Sequence, residues 1–429
     1  MNQQPVSSAL LVSQDANALA ERFRGVRART EAICAPLETE DYVVQPIIDV
    51  SPPKWHLAHT SWFFENFLLS ELQPGYERFH PLYAYLFNSY YILSGKFHPR
   101  VDRGNLSRPT VADVYRYREH VTDRVLDLLA SADEATIARA AEIITLGLNH
   151  EEQHQELLLT DIKYILSSNP LESVFKARDI APAQPPPPLG WLDFAGGIAE
   201  AGYVKHDDGF CFDNELPRHR VLLNDYRIAT RLVTNGEYVA FMADGGYERP
   251  ELWLSDGWAT VQSEGWRSPL YWENRDGDWH SFTLAGVRKV DANEPVVHVS
   301  HYEADAYARW AGKRLPSEFE WEHAAESLPV AGNLYESGIY HPAPATADGP
   351  AQFYGDVWEW TQSAYLPYPG FKPLPGAVGE YNGKFMSSQM VLRGGSCATP
   401  AKHVRASYRN FFQPFHRWQF MGLRLAEDA

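Results

Sequence analysis

The sequence is poor in cysteine and in long apolar runs, and each shortage excludes a class of protein. It has three cysteines in 429 residues, Cys34, Cys211 and Cys397, and no two are spaced as a Cys-x-x-Cys pair. Neither a zinc ribbon nor a disulfide framework is therefore expected. No apolar run approaches the about 18–20 residues of a membrane span. Met1–Ala16 also lacks the basic start and apolar stretch of a signal peptide. We therefore expect a cytoplasmic protein with no membrane partner.

Basic residues are also scarce. The chain has 38 Lys and Arg against 55 Asp and Glu, and its formal net charge is −17. An acidic chain without a Lys/Arg run is a poor partner for a phosphate backbone, so we expect no nucleic acid partner. The apolar content of 45% and the aromatic content of 13% indicate a globular protein. The length suits two or three domains, and the composition leaves the oligomeric state open.

One change in composition divides the chain. Residues 181–189 read APAQPPPPL, and a run of four prolines favours an extended, semi-rigid spacer. We therefore predict a first domain over 1–180, a Pro-rich linker over 181–190 and a second domain over 191–429.

The two predicted domains differ in character. Ala16–Ala35 and Thr110–Ser131 carry apolar residues at helical spacing, and Asp133 is suited to cap a third long helix over 135–165. These segments predict an antiparallel helix bundle. After the linker, short apolar runs alternate with turn residues, and short helices are indicated at Asn235–Met242 and His301–Trp310. The predicted fold class is therefore α+β in two domains.

The strongest local motif is a pair of histidines four residues apart. Leu146, His150, His154 and Leu158 form one stripe of a helix, which places two imidazoles between apolar residues on the inner face of the bundle. Glu156 follows His154 by two residues and is rotated from it by about 200°. It is therefore not expected to complete a site with two histidines and one carboxylate.

A third ligand must come from another helix. The segment after Ser51-Pro52-Pro53 has a good helix start and carries both His56 and His59 on a strongly apolar face. Spacing alone does not choose between these two histidines. Three imidazoles without a cysteine suit zinc, copper or iron. A site with only three protein ligands has open positions, as catalytic sites do.

These residues resemble a known family. SPPKWHLAH at 51–59 and HEEQHQE at 150–156 resemble the DinB-like domain of the sulfoxide synthases of ergothioneine biosynthesis. The second half resembles the formylglycine-generating-enzyme-like domain, whose fold is C-type-lectin-like. Its matching motifs occur in the family's order at Asp213–His219, Val233–Tyr238, Arg314–Glu322, Gly355–Trp360 and Leu392–Ser396. The resemblance covers nearly the whole chain.

The resemblance implies a specific reaction. Fe(II) would be held by His59, His150 and His154, which favours His59 over His56. Small-molecule substrates would meet at the iron: hercynine (trimethylated histidine), a thiol such as cysteine or γ-glutamylcysteine, and O2. The product would be a sulfoxide with a new carbon–sulfur bond on the imidazole ring. An open metal site that holds all reactants in contact makes their encounter intramolecular.

The resemblance also suggests supporting residues. Gln153 resembles a glutamine that contacts the hercynine imidazole, and Tyr90 and Tyr91 resemble the tyrosine pair of the cysteine-using branch, in which a phenol donates a proton or hydrogen atom. Arg100 and Arg103 resemble arginines that bind the donor's carboxylate, a task for which the guanidinium fork is suited.

The trimethylammonium group of hercynine requires an aromatic or polar pocket. The best local candidate is the aromatic segment Phe411–Phe420, with Gln413, Phe415 and Trp418 as predicted substrate-binding residues.

One segment departs from the family pattern. The cysteine-using branch commonly carries a Gly-x-Arg-His-Pro-Arg type stretch after the tyrosine pair, whereas residues 91–100 here read YILSGKFHPR. An altered donor region is what a changed donor requires. A selenoneine synthase, which joins a selenosugar (a selenol donor) to hercynine on the same scaffold, is therefore the main alternative.

Other rivals are weaker. Ovothiol synthases add a methyltransferase, which we do not expect here because the sequence ends soon after Gly422–Leu425. A formylglycine-generating enzyme needs a cysteine pair where Cys397 stands alone. A non-catalytic lectin-like binding protein is the rival from a different class, and a zinc-dependent thiol transferase is a further one. The iron histidines argue against the binding protein.

Overall fold

The computed structural model describes residues 15–178, 180, 182–204, 209–374 and 376–429. The described residues form two compact units. Unit 1 contains residues 15–155, 204 and 209–212, and unit 2 contains the rest. No helix within the described ranges is both long and apolar enough to cross a membrane. The segment Met1–Ala16, for which we expect no signal peptide, lies outside the described residues except for Asp15 and Ala16.

Unit 1 is helical. Its helices are α1 (Ala16–Cys34), α2 (Pro53–Phe64), α3 (Ser70–Leu72), α4 (Tyr83–Leu86), α5 (Val111–Ser131) and α6 (Glu134–Ser167), the last of which extends into unit 2 from Glu156. A π-helical turn at Glu65–Leu69 continues α2, and short 3₁₀ helices occupy Thr39–Val43, Ile92–Ser94 and Arg100–Asn105. The predicted long helices and the predicted DinB-like helical region are confirmed.

The helix starts follow from their capping residues. The Asp15 carboxylate accepts from the backbone N–H groups of residues 17 and 18 at the start of α1. Thr110 and Asp113 form a capping box at the start of α5. Asp133, predicted to cap α6, accepts from the backbone N–H of Thr136 at 2.8 Å. Each contact satisfies N–H groups that a helix end leaves without a partner.

Helix α2 is the most enclosed element of unit 1. Every residue from Pro53 to Phe64 is buried, so α2 has no face in water. Its neighbours include α1 and α5. Gly147 of α6 also lies against α2: a Cβ atom there would be 2.4 Å from Cε1 of Phe64. The missing side chain lets α6 approach α2 closely, and these two helices carry the predicted metal ligands.

Unit 2 is a mixed α+β domain, as predicted. Its own helices are α7 (Asn235–Ala243), α8 (Ser255–Glu264), α9 (His301–Trp310) and α10 (Glu318–Ala325). Its strands are β1 (Trp191–Phe194), β2 (Gly197–Ala201), β3 (His219–Leu223), β4 (Tyr226–Ala229), β5 (Trp272–Arg275), β6 (Asp278–Thr283), β7 (Gly286–Lys289), β8 (Trp358–Ala364), β9 (Met390–Arg393), β10 (Asn410–Phe412), β11 (Met421–Gly422) and β12 (Ala426–Asp428).

The strands form small sheets. The orders are β1-β4-β12, β10-β9-β8-β11, the pair β2-β3 and β5-β6-β7, and every pairing is antiparallel except that of β8 with β11. Tyr226 and Ile228 of β4 pack with Trp321 of α10 and with Phe353 and Tyr354 in an apolar cluster. Capping boxes start α7, α9 and α10. Short strands thus share their core with short, well-capped helices.

The compact units do not divide at the predicted linker. The end of α6 belongs to unit 2, because Glu156 and Asp161 are buried there and accept hydrogen bonds from Trp358 and Trp418. The described part of the Pro-rich segment also lies along unit 2, where the Pro187 carbonyl accepts from Nε of Arg231 at 2.8 Å. The domain limits 1–180, 181–190 and 191–429 therefore stay a prediction.

Candidate metal centre

Three histidines of unit 1 form a group that fits a metal ion. His59 of α2 and His150 and His154 of α6 each offer one nitrogen within 4.8 Å of the others, and all three are buried. Nε2 of His59 and Nε2 of His150 lie 3.3 Å apart. Two nitrogens that each lie about 2.1 Å from one ion are about 3.0–3.4 Å apart. His59 and His150 are therefore at ligand spacing, and the nitrogen of His154 lies within 4.8 Å of both.

The outer ring nitrogens of two of these histidines have hydrogen-bond partners. Nδ1 of His59 lies 2.6 Å from the Phe87 carbonyl oxygen, so this nitrogen is the donor and Nε2 keeps its lone pair. Nδ1 of His154 lies 2.8 Å from Nδ1 of His56. Such contacts orient metal-binding imidazoles and fix their tautomers. His56, the alternative ligand that the spacing left open, thus contacts a predicted ligand.

Burial keeps the three imidazoles neutral. Desolvation lowers the pKa of His150 to about 3, and the charge of Glu151 only partly opposes it. Desolvation also lowers the pKa of His59 and of His154 well below the usual value, and the neighbouring His150 lowers both further. A neutral imidazole has the lone pair that a metal needs. At neutral pH the three imidazoles can therefore bind a cation without first losing a proton.

Aromatic rings enclose His59. The ring of Trp55 stacks on it at 4.5 Å between centroids, and the ring of Trp62 stacks on it at 5.4 Å. The ring of Phe63 lies 4.9 Å from that of His150. These contacts restrict the rotamers of both histidines and exclude water from one side of the group.

Tyr90 and Tyr91 follow a short turn beside this aromatic wall. Their rings stack at 4.7 Å, and the Tyr91 ring, which is fully buried, lies 5.4 Å from that of Trp62. Asn88 holds the turn: its side chain donates to the Tyr91 carbonyl at 3.0 Å and accepts from the Tyr91 N–H at 3.1 Å. One ring, Trp62, therefore separates Tyr91 from His59. The catalytic role of the tyrosines stays a prediction.

The two predicted donor-binding arginines contact other protein groups. Nε of Arg100 donates to the Ile48 carbonyl at 2.9 Å, and Nη2 donates to the Asp49 carbonyl at 2.5 Å. Arg103 is buried; it donates to Oγ of Ser51 at 2.9 Å, and its guanidinium lies 3.4 Å from the ring centre of Trp55. Arg100 thus holds the backbone of residues 48 and 49, and Arg103 packs on the Trp55 ring that stacks on His59.

The other predicted residues of α6 are clearly placed. Gln153 precedes His154 and is half-buried. Glu156 accepts from Nε1 of Trp358 and from Oγ of Ser396, each at 2.6 Å. Glu156 was predicted not to be a ligand. In agreement, the group of possible metal ligands among the described residues contains only histidines.

The predicted trimethylammonium pocket lies in unit 2. Trp418 is buried and donates to Oδ1 of Asp161 at 3.0 Å, and its ring lies 4.7 Å from that of His416. Phe415 is 41% exposed, and Gln413 is also exposed. Of these three residues, only Trp418 is fixed by a buried polar contact, and the substrate-binding role of all three stays a prediction.

Sequence reasoning did not anticipate the charged residues behind the histidines. Arg27 of α1, Arg118 of α5 and Glu151 of α6 are buried together in unit 1. Burial alone would raise the pKa of Glu151, but the two arginine charges hold it at about 2. Arg118 falls within the apolar stripe of Val114, Tyr117, Val121 and Val125. That interruption is the sequence signal that would have revealed it.

Comparison with known proteins identifies the family. Residues 192–338 and 338–429 match the sulfatase-modifying factor enzyme 1-like domain, and residues 22–158 match the DinB superfamily. The hercynine oxygenase of Mycolicibacterium thermoresistibile is 34% identical over 413 residues, which cover 89% of this chain and 88% of that protein. The chain belongs to the hercynine oxygenase family.

Two further relatives agree. The hercynine oxygenase of Mycobacterium tuberculosis is 34% identical over 407 residues, which cover 88% of this chain and 91% of that protein. Ergothioneine biosynthesis protein 1 of Schizosaccharomyces pombe is 27% identical over 51% of this chain and 28% of that protein. The predicted family and domain pair are thus confirmed, and the chain is an oxygenase-type enzyme related to ergothioneine biosynthesis.

Iron fits the donor set of this hercynine oxygenase family member. Three neutral, buried imidazoles without a thiolate are ligands that Fe(II) accepts, and they leave open positions for substrates. Zinc or copper would accept the same donors, so the geometry alone does not select iron.

Proposed function

We propose that this chain catalyses an O2-dependent reaction that joins the imidazole ring of hercynine to the sulfur of cysteine or γ-glutamylcysteine and gives a sulfoxide. His59, His150 and His154 would hold Fe(II). When bound, the iron would supply oxygen activation and a common meeting place for the substrates. The observation that carries the proposal is the buried group of three histidines in a chain of this family.

The protein's own side chains have defined tasks in this proposal. The Phe87 carbonyl and His56 orient two of the ligands through their outer nitrogens. Trp55 and Trp62 exclude water from the face of His59. Gln153, next to His154 on α6, would orient the hercynine imidazole, and the phenol of Tyr90 or Tyr91 would supply a proton. Arranging reactants in this way lowers the entropic part of the barrier.

A second candidate is C–Se bond formation with a selenosugar. The observation in its favour is the engagement of Arg100 and Arg103, whose guanidiniums contact backbone carbonyls, Ser51 and Trp55. A donor without a carboxylate, such as a sugar, does not need an arginine. The segment after Tyr91 also presents a groove of about 540 Å³ lined by Tyr85, Ile92, Gly95, Lys96, Phe97 and Pro99.

Metal loading tests the enzyme proposal against a non-catalytic binding protein. The purified full chain is loaded with Fe(II) without oxygen, desalted and analysed for metal, beside His150→Ala and the control His403→Ala. His403 is also buried but lies in unit 2. We expect about one iron per chain in the wild type and the control, and a large loss in His150→Ala. No iron in the wild type, or full iron in His150→Ala, would contradict the proposal.

A competition decides between sulfur and selenium. Iron-loaded protein receives hercynine and O2 with cysteine, γ-glutamylcysteine or a selenosugar, singly and in equal mixture, and the products are identified by mass spectrometry. The main proposal expects a sulfoxide adduct. Preferential formation of a selenium adduct would favour the second candidate, and turnover without O2 would favour a zinc-dependent thiol transferase.

A further inference from the structure

Two buried arginines bridge the helices that carry the metal ligands. Nη2 of Arg27 donates to Oγ of Ser61 on α2 at 2.9 Å, and its Nη1 donates to Oε2 of Glu151 on α6 at 3.1 Å. Nη1 of Arg118 donates to Oγ1 of Thr60 on α2 at 3.1 Å, and its Nη2 donates to Oε1 of Glu151 at 2.5 Å. Each guanidinium therefore spans from α2 to α6.

The bridges end next to the ligands along the chain. Thr60 follows His59 in α2, and Glu151 follows His150 in α6. Because successive residues of a helix are rotated by about 100°, these side chains leave their helices in a different direction from the imidazoles. The bridges thus hold both helices beside the metal-binding group without entering it.

The arginines are themselves held by reciprocal contacts. Nη2 of Arg118 donates to the Arg27 carbonyl at 2.8 Å, and Nη2 of Arg27 donates to the Arg118 carbonyl at 3.2 Å. Thr30 donates to Oε1 of Glu151 at 2.6 Å, and Glu31 accepts from Nε of Arg118 at 2.9 Å. The planar guanidinium fork and these fixed partners leave little freedom in the separation of α2 and α6.

Stability alone is a poor reason for this arrangement. The side chains of Arg27, Arg118 and Glu151 are 3%, 0% and 0% exposed. Burying charges costs several kcal/mol per ion, and well-packed apolar residues often do as well or better. In some proteins, buried charges instead fix one geometry. A metal site, whose ligand distances must hold within a few tenths of an ångström, needs such a geometry.

We infer that Arg27, Arg118 and Glu151 form a clamp that sets the separation of α2 and α6 and thereby positions His59 and His150 for metal binding. The inference rests on the proposed function, since it assumes that the histidines hold a metal. The three clamp residues act through the ligands and are positioning residues.

The test is the variant Glu151→Gln in the full chain. Gln has the same size but loses the charge and one acceptor oxygen, so it cannot hold both arginines. The metal-free protein is titrated with Co(II), a coloured substitute for Fe(II), and the visible absorption bands and dissociation constant are measured. We expect the dissociation constant to rise by about 10–100-fold, as for other outer-shell partners, with a change in the bands.

Glu318→Gln is the matched control. Glu318 of unit 2 is also buried, at 3% exposure, and accepts from Arg393 and Arg409 at 2.8 Å. It lies in the other compact unit. We expect this variant to lose stability but to bind Co(II) within twofold of the wild type, with the same bands. A general loss of stability would affect both variants alike, whereas the clamp predicts that only Glu151→Gln changes the metal.

The outcomes separate the two proposals. Wild-type-like affinity and bands in Glu151→Gln would overturn the clamp while leaving the proposed function intact. A wild type that binds neither Co(II) nor Fe(II) would overturn the proposed function and the clamp together. If Glu151→Gln does not fold, the milder double variant Thr60→Val/Ser61→Ala removes the α2 end of both bridges. A rise of several-fold in its dissociation constant supports the clamp, and an unchanged constant overturns it.

Discussion

Replacing Gly147 by alanine should destabilise unit 1, although alanine is the better helix former. In an unobstructed helix this change stabilises by about 1 kcal/mol. Here the new Cβ would lie 2.4 Å from Cε1 of Phe64 and 2.8 Å from Cε1 of Phe63. Ordinary carbon contacts are about 3.5–4.0 Å. Both phenylalanine rings are buried, so neither has space to move into.

The expected magnitude follows from these two effects. Overfilling a packed core costs about 1–3 kcal/mol. Overlap with two buried rings places the cost in the upper part of this range, at about 2–3 kcal/mol, and subtracting the helix gain of about 1 kcal/mol leaves a loss of about 1–2 kcal/mol. At about 2–4 °C per kcal/mol, the melting temperature of unit 1 should fall by several degrees. Because Phe63 packs on His150 at 4.9 Å, the same shift should also weaken Co(II) binding.

The assay compares unfolding of metal-free proteins by circular dichroism in urea and on heating. Gly25→Ala is the control, because Gly25 lies on the exposed face of α1 and an added Cβ there would meet nothing within 4 Å. The control should gain about 0.5–1 kcal/mol. If Gly147→Ala proved as stable as the wild type or more so, the close approach of α2 and α6 would not be the constraint we describe.

Three further substitutions test other parts of the molecule. His56→Phe should raise the Co(II) dissociation constant by about 10–100-fold, because His154 loses the partner of its Nδ1; an unchanged titration would remove His56 from the site. Asn88→Asp removes the amide N–H that donates to the Tyr91 carbonyl. In steady-state kinetics, the KM for the thiol or selenosugar should rise several-fold while the KM for hercynine stays unchanged. Equal changes in both KM values would contradict the role of Asn88 in holding Tyr91. Burial lowers the pKa of Lys163 from 10.5 to about 7, so the folded chain resists the charge and stability should rise with pH through this window. Between pH 7 and about pH 9.5 the wild type should gain about 3 kcal/mol relative to Lys163→Met in urea unfolding, and parallel pH profiles would refute the shift.

Much of unit 1 could be predicted because its signals are local. Helical spacing and capping residues fixed α1, α5 and α6 to within a few residues, and Ser51-Pro52-Pro53 marked the start of α2. The spacing of His150 and His154 placed two predicted ligands on one helix face. The third predicted ligand was not local: His56 and His59 lie on nearly the same face, and only the packing of α2 against α6 and Phe87 separates their contacts.

The remaining features depend on contacts between distant segments. No spacing rule connects Arg27, Arg118 and Glu151, which come from three helices. In unit 2 the strands are short, and the order β10-β9-β8-β11 includes a parallel pair between β8 and β11 that local patterns do not encode. The end of α6 illustrates the same limit, since helix geometry turned Glu156 away from the predicted ligands but did not reveal its partner Trp358, which is remote in sequence.

The chain from Phe87 to Arg100 joins the predicted donor region to the predicted metal centre. Asn88 holds Tyr91 at one end, and Arg100 holds the backbone of residues 48 and 49 at the other, while Ile92 and Leu93 are 67% and 72% exposed between them. The middle of the segment is therefore open to substitution without cost to the core. Residues 87–91 are not open to substitution in this way, because the Phe87 carbonyl accepts the Nδ1 proton of His59. Substitutions at 92–97, in the region that we propose meets the donor, should therefore leave the core intact, whereas substitutions at 87–91 should disturb the proposed metal ligand His59.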